Sequence, residues 1–343
     1  MPSLTKPRAA AIWVGIFFMS VIFTACPEAT DMPATLKLTD DAVWLFPGEQ
    51  GSINYAATAS GGGKTAVTVD VEDPDIIEVK DYLNGVIALK GLRAGGTVIT
   101  VTNNSDASLS ETICVTVSNF FPEAGKIDAH IDGELVIAFD NEPLLATGGS
   151  IRIHDRVSGS LVDEIRFEDE TQTTLGTSNN VINVGSQLAR VDGNRVYITP
   201  HFGKLRYDGE YYVVIPPGAI TAELNGSAFN GIDDGETWWF ATRAAPVLNE
   251  PVPITVDRAW NSRTDFRSVY GAMSAVADRG GDWIINVTPG IYTELVRYVG
   301  RSNITVNGTG GEPFGRDVVI QWTNNQQLDG GASGATHRRA SFY

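Results

Sequence analysis

At 343 residues the chain is long enough for two or three domains. Its formal charge of −16 excludes the basic footprint that nucleic-acid binding needs. Two cysteines, Cys26 and Cys114, are too few for a disulfide framework.

The chain opens as an export address. Lys6 and Arg8 precede an apolar run from Ala9 to Phe23, which ends in Thr24-Ala25-Cys26. This is the basic, apolar and small-residue layout of a secretory signal. The run is shorter than the ~20 residues that span a bilayer. Residues 1–25 contain no acid, so the rest of the chain is more acidic than the whole. Phe23-Thr24-Ala25-Cys26 resembles a bacterial lipobox. That resemblance implies cleavage before Cys26, lipidation of its thiol and attachment to the bacterial outer membrane or cell surface. An ordinary signal peptide with an incidental cysteine is the alternative. If Cys26 carries lipid, Cys114 has no partner. Residues 26–33 read as a polar, Pro-containing tether.

Residues 34–119 alternate apolar and polar positions in short runs. These include Thr35-Leu36-Lys37-Leu38-Thr39, Val67 to Val71, Val98 to Thr102 and Thr112 to Val117. Period two puts one face in a core and one in water. Pro47-Gly48, Gly61-Gly62-Gly63, Asn84-Gly85 and Gly95-Gly96 break the runs. The expected fold is a β-sandwich. Leu45 to Glu49, followed by Gly91 to Val101, resembles bacterial Ig-like domains of the group 2 type. Cys114 falls on the face of Thr112 and Thr116, opposite Ile113, Val115 and Val117.

Residues 120–243 predict a second sandwich. Its strand signals are Glu134 to Phe139, Ser150 to His154, Arg195 to Pro200, Glu210 to Ile215 and Thr237 to Thr242. Phe139-Asp140, the segment Leu205 to Tyr212, and Trp238 to Thr242 resemble another bacterial Ig-like family. Within the adjacent pairs Tyr211-Tyr212 and Trp238-Trp239, one ring of each must face inward, so core packing is expected over sugar stacking. His154 and His201 have no metal-ligand companion at useful spacing. Asp233-Asp234 reads as a solvated turn, with calcium binding as its alternative. No metal site or cofactor is expected.

A linker at 244–253 leads to a different pattern. Ile254 to Asp257 is a short strand. Thr264 can cap a following helix, with Asp265 in its first turn. Phe266, Val269, Tyr270, Met273, Val276 and Ala277 make a one-sided apolar stripe, which Gly280-Gly281 ends. Strands then recur at Trp283 to Val287, Ile304 to Val306 and Val318 to Trp322, at intervals that suit the coils of a parallel β-helix. A helix over the first coil would cover its raw edge.

Several pieces of this segment, in this order, resemble the start of pectin methylesterases. They are Thr255-Val256-Asp257, Asp265 to Val269, Pro289 to Glu294, Asn303 to Gly308 and Val318-Val319-Ile320. The resemblance covers 254–343. It implies the capped first coils of a right-handed parallel β-helix, so the whole chain is expected to be all-β: two Ig-like sandwiches followed by those coils. It also implies a partner, pectin or another acidic plant polysaccharide, whose methyl esters the family hydrolyses with two Asp, an Arg and Gln side chains. Those motifs lie further along the family pattern than Tyr343, so no catalytic residue is assigned here. A substrate-contacting Thr of the family falls on Thr336. Glu294 is expected to be structural. A non-catalytic polysaccharide-binding or adhesion lipoprotein and a β-helix pectate lyase are the alternatives.

Overall fold

The structure is a computed structural model that describes residues 32–168, 170–175, 182–296, 298, 300–310 and 317–321. Cys26, Thr336 and residues 1–25 lie outside the described residues. The described chain is nearly all β, as expected, with one helix among its strands.

The first module closes two four-stranded sheets on one core. One sheet runs in the order Thr35–Leu38, Gln50–Thr58, Val86–Gly91, Ile77–Leu83, and the other Ala42–Leu45, Asp106–Val117, Gly95–Asn103, Val67–Val71. Alternation decides what faces inward. Ile53, Ile87 and Leu89 meet Ile99, Val101, Ile113 and Val115, all nearly fully buried, while Cys114 is exposed on the outer face. Asn103 is the polar exception, fully buried at an inward position. Its side-chain amide donates to the carbonyls of Thr35 (2.8 Å) and Thr58 (3.0 Å), and its oxygen accepts from the Ser105 backbone (2.8 Å). Complete hydrogen bonding is what makes such burial tolerable. Here it also ties one sheet to the other.

The second module packs a five-stranded sheet on a four-stranded one. The order is Lys126–Ala129, Trp239–Thr242, Glu210–Val214, Ser150–Asp155, Leu161–Arg166 against Ala189–Asp192, Arg195–Ile198, Leu135–Ala138, Phe120–Phe121. Trp238, Phe240 and Tyr211 lie in the core. The indole of Trp238 donates to the Pro122 carbonyl at 2.9 Å. The outer rings of the two aromatic pairs are covered: Arg156 lies 3.9 Å over Trp239, and His154 stacks on Tyr212 at 5.1 Å. The Tyr211 hydroxyl accepts from the Arg206 amide at 2.9 Å, the corner bond typical of Greek-key sandwiches.

The third module pairs its strands in parallel. Ile254–Val256, Asp282–Val287 and Asn303–Gly308 form one sheet, and Gly290–Thr293 pairs with Val318–Gln321 in another. Asp282 faces Asn303, an advance of 21 residues, and Thr293 faces Gln321, an advance of 28. Polar side chains stack in register along the strands, Asn303 donating to Asp282 at 2.8 Å and Asn307 to Asn286 at 3.4 Å.

The helix Val269–Val276 buries Val269, Ala272, Met273 and Val276 against the first sheet. Its start differs from the expectation at Thr264. Residues 264 and 265 form a bend and Phe266 bridges in parallel to Val256, so the helix begins later. Ser268 is the N-cap, accepting from the Gly271 amide at 2.9 Å. Asp265 instead binds the amide (2.8 Å) and hydroxyl (2.9 Å) of Thr255.

All three modules meet at one aromatic cluster. Trp44 and Phe46 come from the first, Phe121, Val136, Ala138 and Tyr197 from the second, and Trp260 from the third. The Trp260 ring lies 4.8 Å from Phe121, 5.2 Å from Phe46 and 5.6 Å from Trp44. Polar contacts ring the cluster: Arg195 with Glu49 at 3.4 Å, Asn261 with the Ala42 carbonyl at 3.0 Å, and Arg263 with Asp41 at 3.2 Å.

Candidate functional site

A cleft of about 280 Å³ lies between the second and third modules. One wall is the turn Ile131 to Glu134 and the segment Thr199 to Tyr207. The other is Arg258, the start of the helix, and Tyr292 to Leu295.

At its base, two carboxylates converge on the helix N-terminus. A helix starts with amides that have no partner inside it, and it carries partial positive charge there. Glu294 accepts from the Val269 (2.9 Å) and Tyr270 (2.8 Å) amides. Asp132, from the second module, accepts from the Arg267 (3.0 Å) and Ser268 (2.8 Å) amides and from the Ser268 hydroxyl (2.8 Å). That hydroxyl accepts in turn from Gly271. A Cβ at Gly271 would stand 2.5 Å from the Asp132 carboxylate, so glycine permits this approach.

Burial pushes the Glu294 carboxyl up to about 7, against the lowering effect of its two amide partners; the Asp132 charge adds to the rise. A carboxyl poised near neutrality in a cleft has the form of a general acid or base. Geometry decides otherwise, because both of its oxygens are engaged by the helix. Glu294 is thus a cap, in line with its expected structural role.

The remaining charges are likewise bound to structure. Arg267 is buried, donates to the Arg258 and Ala259 carbonyls, and lies 4.6 Å over Phe121. Burial lowers its guanidinium to about 10, still charged at neutral pH. Glu134 pairs with Arg190 at 3.1 Å and Arg258 at 3.5 Å. His130 Nε2 lies 2.6 Å from the Arg243 guanidinium and 2.9 Å from the Thr264 carbonyl. Burial lowers its pKa, and Arg243 and Arg267 act in the same direction, while Thr264 and Asp132 oppose them. His201 binds Asp163 at 2.8 Å, beside the cleft. Tyr207 lines the wall half-buried, its phenol pushed up to about 12 by burial first and Asp132 second.

Among the sequence candidates, only Glu294 and His201 reach this cleft. Cys26 and Thr336 lie outside the described residues, and His154 is on the far side of its sheet, bound to the Gly159 carbonyl at 3.1 Å. Asp234 caps its own turn, accepting from the Glu236 (2.7 Å) and Thr237 (2.6 Å) amides. Sequence reasoning missed Asp132, Arg267, Phe202 and Tyr207. The available signal was Arg267-Ser268 directly before an apolar helix, a site that calls for a carboxylate without naming which one.

No known protein family matches the chain, and no curated protein matches it. Solved structures with loose overlap include domains 4 and 5 of the S-layer protein SbsC, at 16% identity and a TM-score of 0.20, covering 24% of this chain and 50% of that one. Domains 5-6 of SbsC overlap at 11% identity and a TM-score of 0.22, covering 62% of this chain and 100% of that one. The tandem Ig repeats of Dlar overlap at 10% identity and a TM-score of 0.19, covering 62% and 98%. This chain thus spans half the length of the SbsC domain 4 and 5 structure. Overlap this loose relates no residue of this chain to a residue of those proteins.

Proposed function

We propose that the chain is the stem and opening coils of a pectinesterase-like β-helix, exported through residues 1–25 and held at the bacterial surface by lipid on Cys26. The observation that carries this reading is the parallel pairing of the third module, advancing 21 and 28 residues per strand beneath an amphipathic helix. Parallel pairing of this kind is what a β-helix requires, and the motifs Pro289 to Glu294 and Asn303 to Gly308 overlap the parallel-paired strands Gly290–Thr293 and Asn303–Gly308. The two sandwiches are read as Ig-like spacers, a reading that the Tyr211 corner supports. They set the coil at a distance from the membrane and fix its direction.

The stem itself is proposed to be non-catalytic. Ester hydrolysis needs a nucleophile, a proton donor and an oxyanion site within hydrogen-bond reach of one another. Around the cleft, Asp132 and Glu294 serve the helix amides and Glu134 serves two arginines. Contact with an acidic polysaccharide would bind substrate without lowering a barrier. The test is methanol release from highly methylated pectin by the 343-residue chain. No release above a heat-treated control is expected, and turnover would overturn the assignment. Cys26→Ser should move the protein from the detergent phase to the aqueous phase in phase separation; unchanged partition would refute the anchor.

A further inference from the structure

Three groups on the cleft walls keep surface or hydrogen-bonding capacity toward the cavity. Phe202 keeps 58% of its surface exposed, with its ring 4.9 Å from that of Tyr270. The Tyr207 hydroxyl meets no hydrogen-bonding group of the described residues. The Arg258 guanidinium, with five donors to place, has a long 3.5 Å pair with Glu134 and a 6.0 Å approach to the Tyr292 ring. An aromatic face, a phenol and a guanidinium therefore surround one cavity.

The cavity's size and charge narrow what fits. At about 280 Å³ it falls below the ~300–1,000 Å³ of drug-sized pockets. It suits one six-membered ring rather than a peptide or an acyl chain. Asp132 and Glu134 offset Arg258 and Arg267, and Glu294 adds no positive charge, so phosphates and carboxylates find no net positive charge in the cleft. A sugar ring offers the complementary chemistry. Its C–H face packs on an aromatic ring, and its hydroxyls both donate and accept. We propose that the cleft between the second and third modules binds one neutral sugar unit, stacked on Phe202 and hydrogen-bonded by Tyr207 and Arg258. The site is separate from any esterase chemistry and does not depend on it.

The experiment uses the full chain with the methyl glycosides of galactose, glucose and mannose, and with galacturonic acid as the charged arm. Saturation-transfer NMR detects binding, and the emission of Trp260 on the cleft wall titrates it. At least one neutral glycoside should bind with a millimolar dissociation constant, and galacturonic acid about tenfold more weakly. Phe202→Ala should weaken binding roughly tenfold through lost ring contact. Tyr207→Phe, which keeps the shape, should weaken it roughly fivefold, the worth of one hydrogen bond. Thermal melts of both variants check that the modules stay docked. The proposal is overturned by no binding of any neutral glycoside at roughly 50 mM, far above millimolar affinity. It is equally overturned by tighter binding of galacturonic acid, or by unchanged affinity in Tyr207→Phe. Methanol release reads the esterase question separately, so the two ideas fail independently.

Discussion

The core of the first module and the junction around Trp260 and Asp132 are built on different principles. In the core, strands neighbouring in the sheet place every second residue inward, and Ile99, Val101, Ile113 and Val115 follow from alternation alone. At the junction nothing alternates. One tryptophan from a loop enters a cluster of two other modules, and one aspartate reaches a helix 135 residues later. The core is redundant, with many apolar contacts of similar worth. The junction is concentrated in a few side chains. Substitution in the core should therefore weaken one module, whereas substitution at the junction should uncouple modules that stay folded.

The largest expected effect lies in the core. Ile99→Ala removes a fully buried side chain and leaves a cavity, at a cost of about 3 kcal/mol. Urea unfolding should show one early transition, with the third module's transition unmoved. A concerted shift of all transitions would mean that the modules unfold as one unit, and would erase the contrast with the junction.

Next comes Asp132→Ala, which leaves the Arg267 and Ser268 amides without their carboxylate. The expected cost is about 2–3 kcal/mol, since the acceptor is charged. Hydrogen exchange should speed up at those two amides and in Val269–Val276, while Ile99 and Val101 keep their protection. Asp132→Asn retains one acceptor and should fall between. Equal protection in all three proteins would show that Glu294 alone holds the helix start.

The same contrast governs what the sequence discloses. Alternation reveals strands because the sheet's period is local. The stripe of Val269, Met273 and Val276 reveals the helix for the same reason. The helix does not start at Thr264 because Phe266 is held in a tertiary bridge to Val256, and no local pattern encodes the bridge. Tyr270 lay on the predicted apolar stripe, yet it faces the cleft beside Phe202. Asp132 and Trp260 look like ordinary loop residues until the modules meet. Their partners are fixed by packing over long sequence separations, which is where periodicity has no reach.

A smaller effect tests whether Trp260 couples the modules or merely fills space between them. A double-mutant cycle of Trp260→Leu and Phe121→Leu should give a coupling energy of about 1 kcal/mol, the usual worth of an aromatic pair. Trp260→Leu paired with Ile99→Ala should be additive. Additivity in both cycles would reduce Trp260 to surface cover.

The smallest effect is the pH dependence of the junction, where two groups act with opposite sign. His130 has its pKa lowered from 6.5 in the fold, so the unfolded chain binds more protons as the medium turns acidic. Its contribution is present above 6.5 and is lost as pH falls through its folded value. Glu294 has its carboxyl raised from 4.5 to about 7, so the folded chain holds the extra proton between those values. Its contribution is complete below 4.5 and is lost as pH rises through about 7. The two slopes oppose each other between the folded value of His130 and 6.5, so the third module's melting temperature should change least there, fall as pH rises through about 7 and level off above it. Single variants separate the terms. His130→Gln should leave a curve that only declines as pH rises, and Glu294→Gln a curve that only declines as pH falls, each at lower absolute stability because a hydrogen-bonding group has been exchanged. Parallel curves for the wild type and both variants would mean that neither group changes its protonation on folding. The junction would then rest on the aromatic cluster and Asp132 alone.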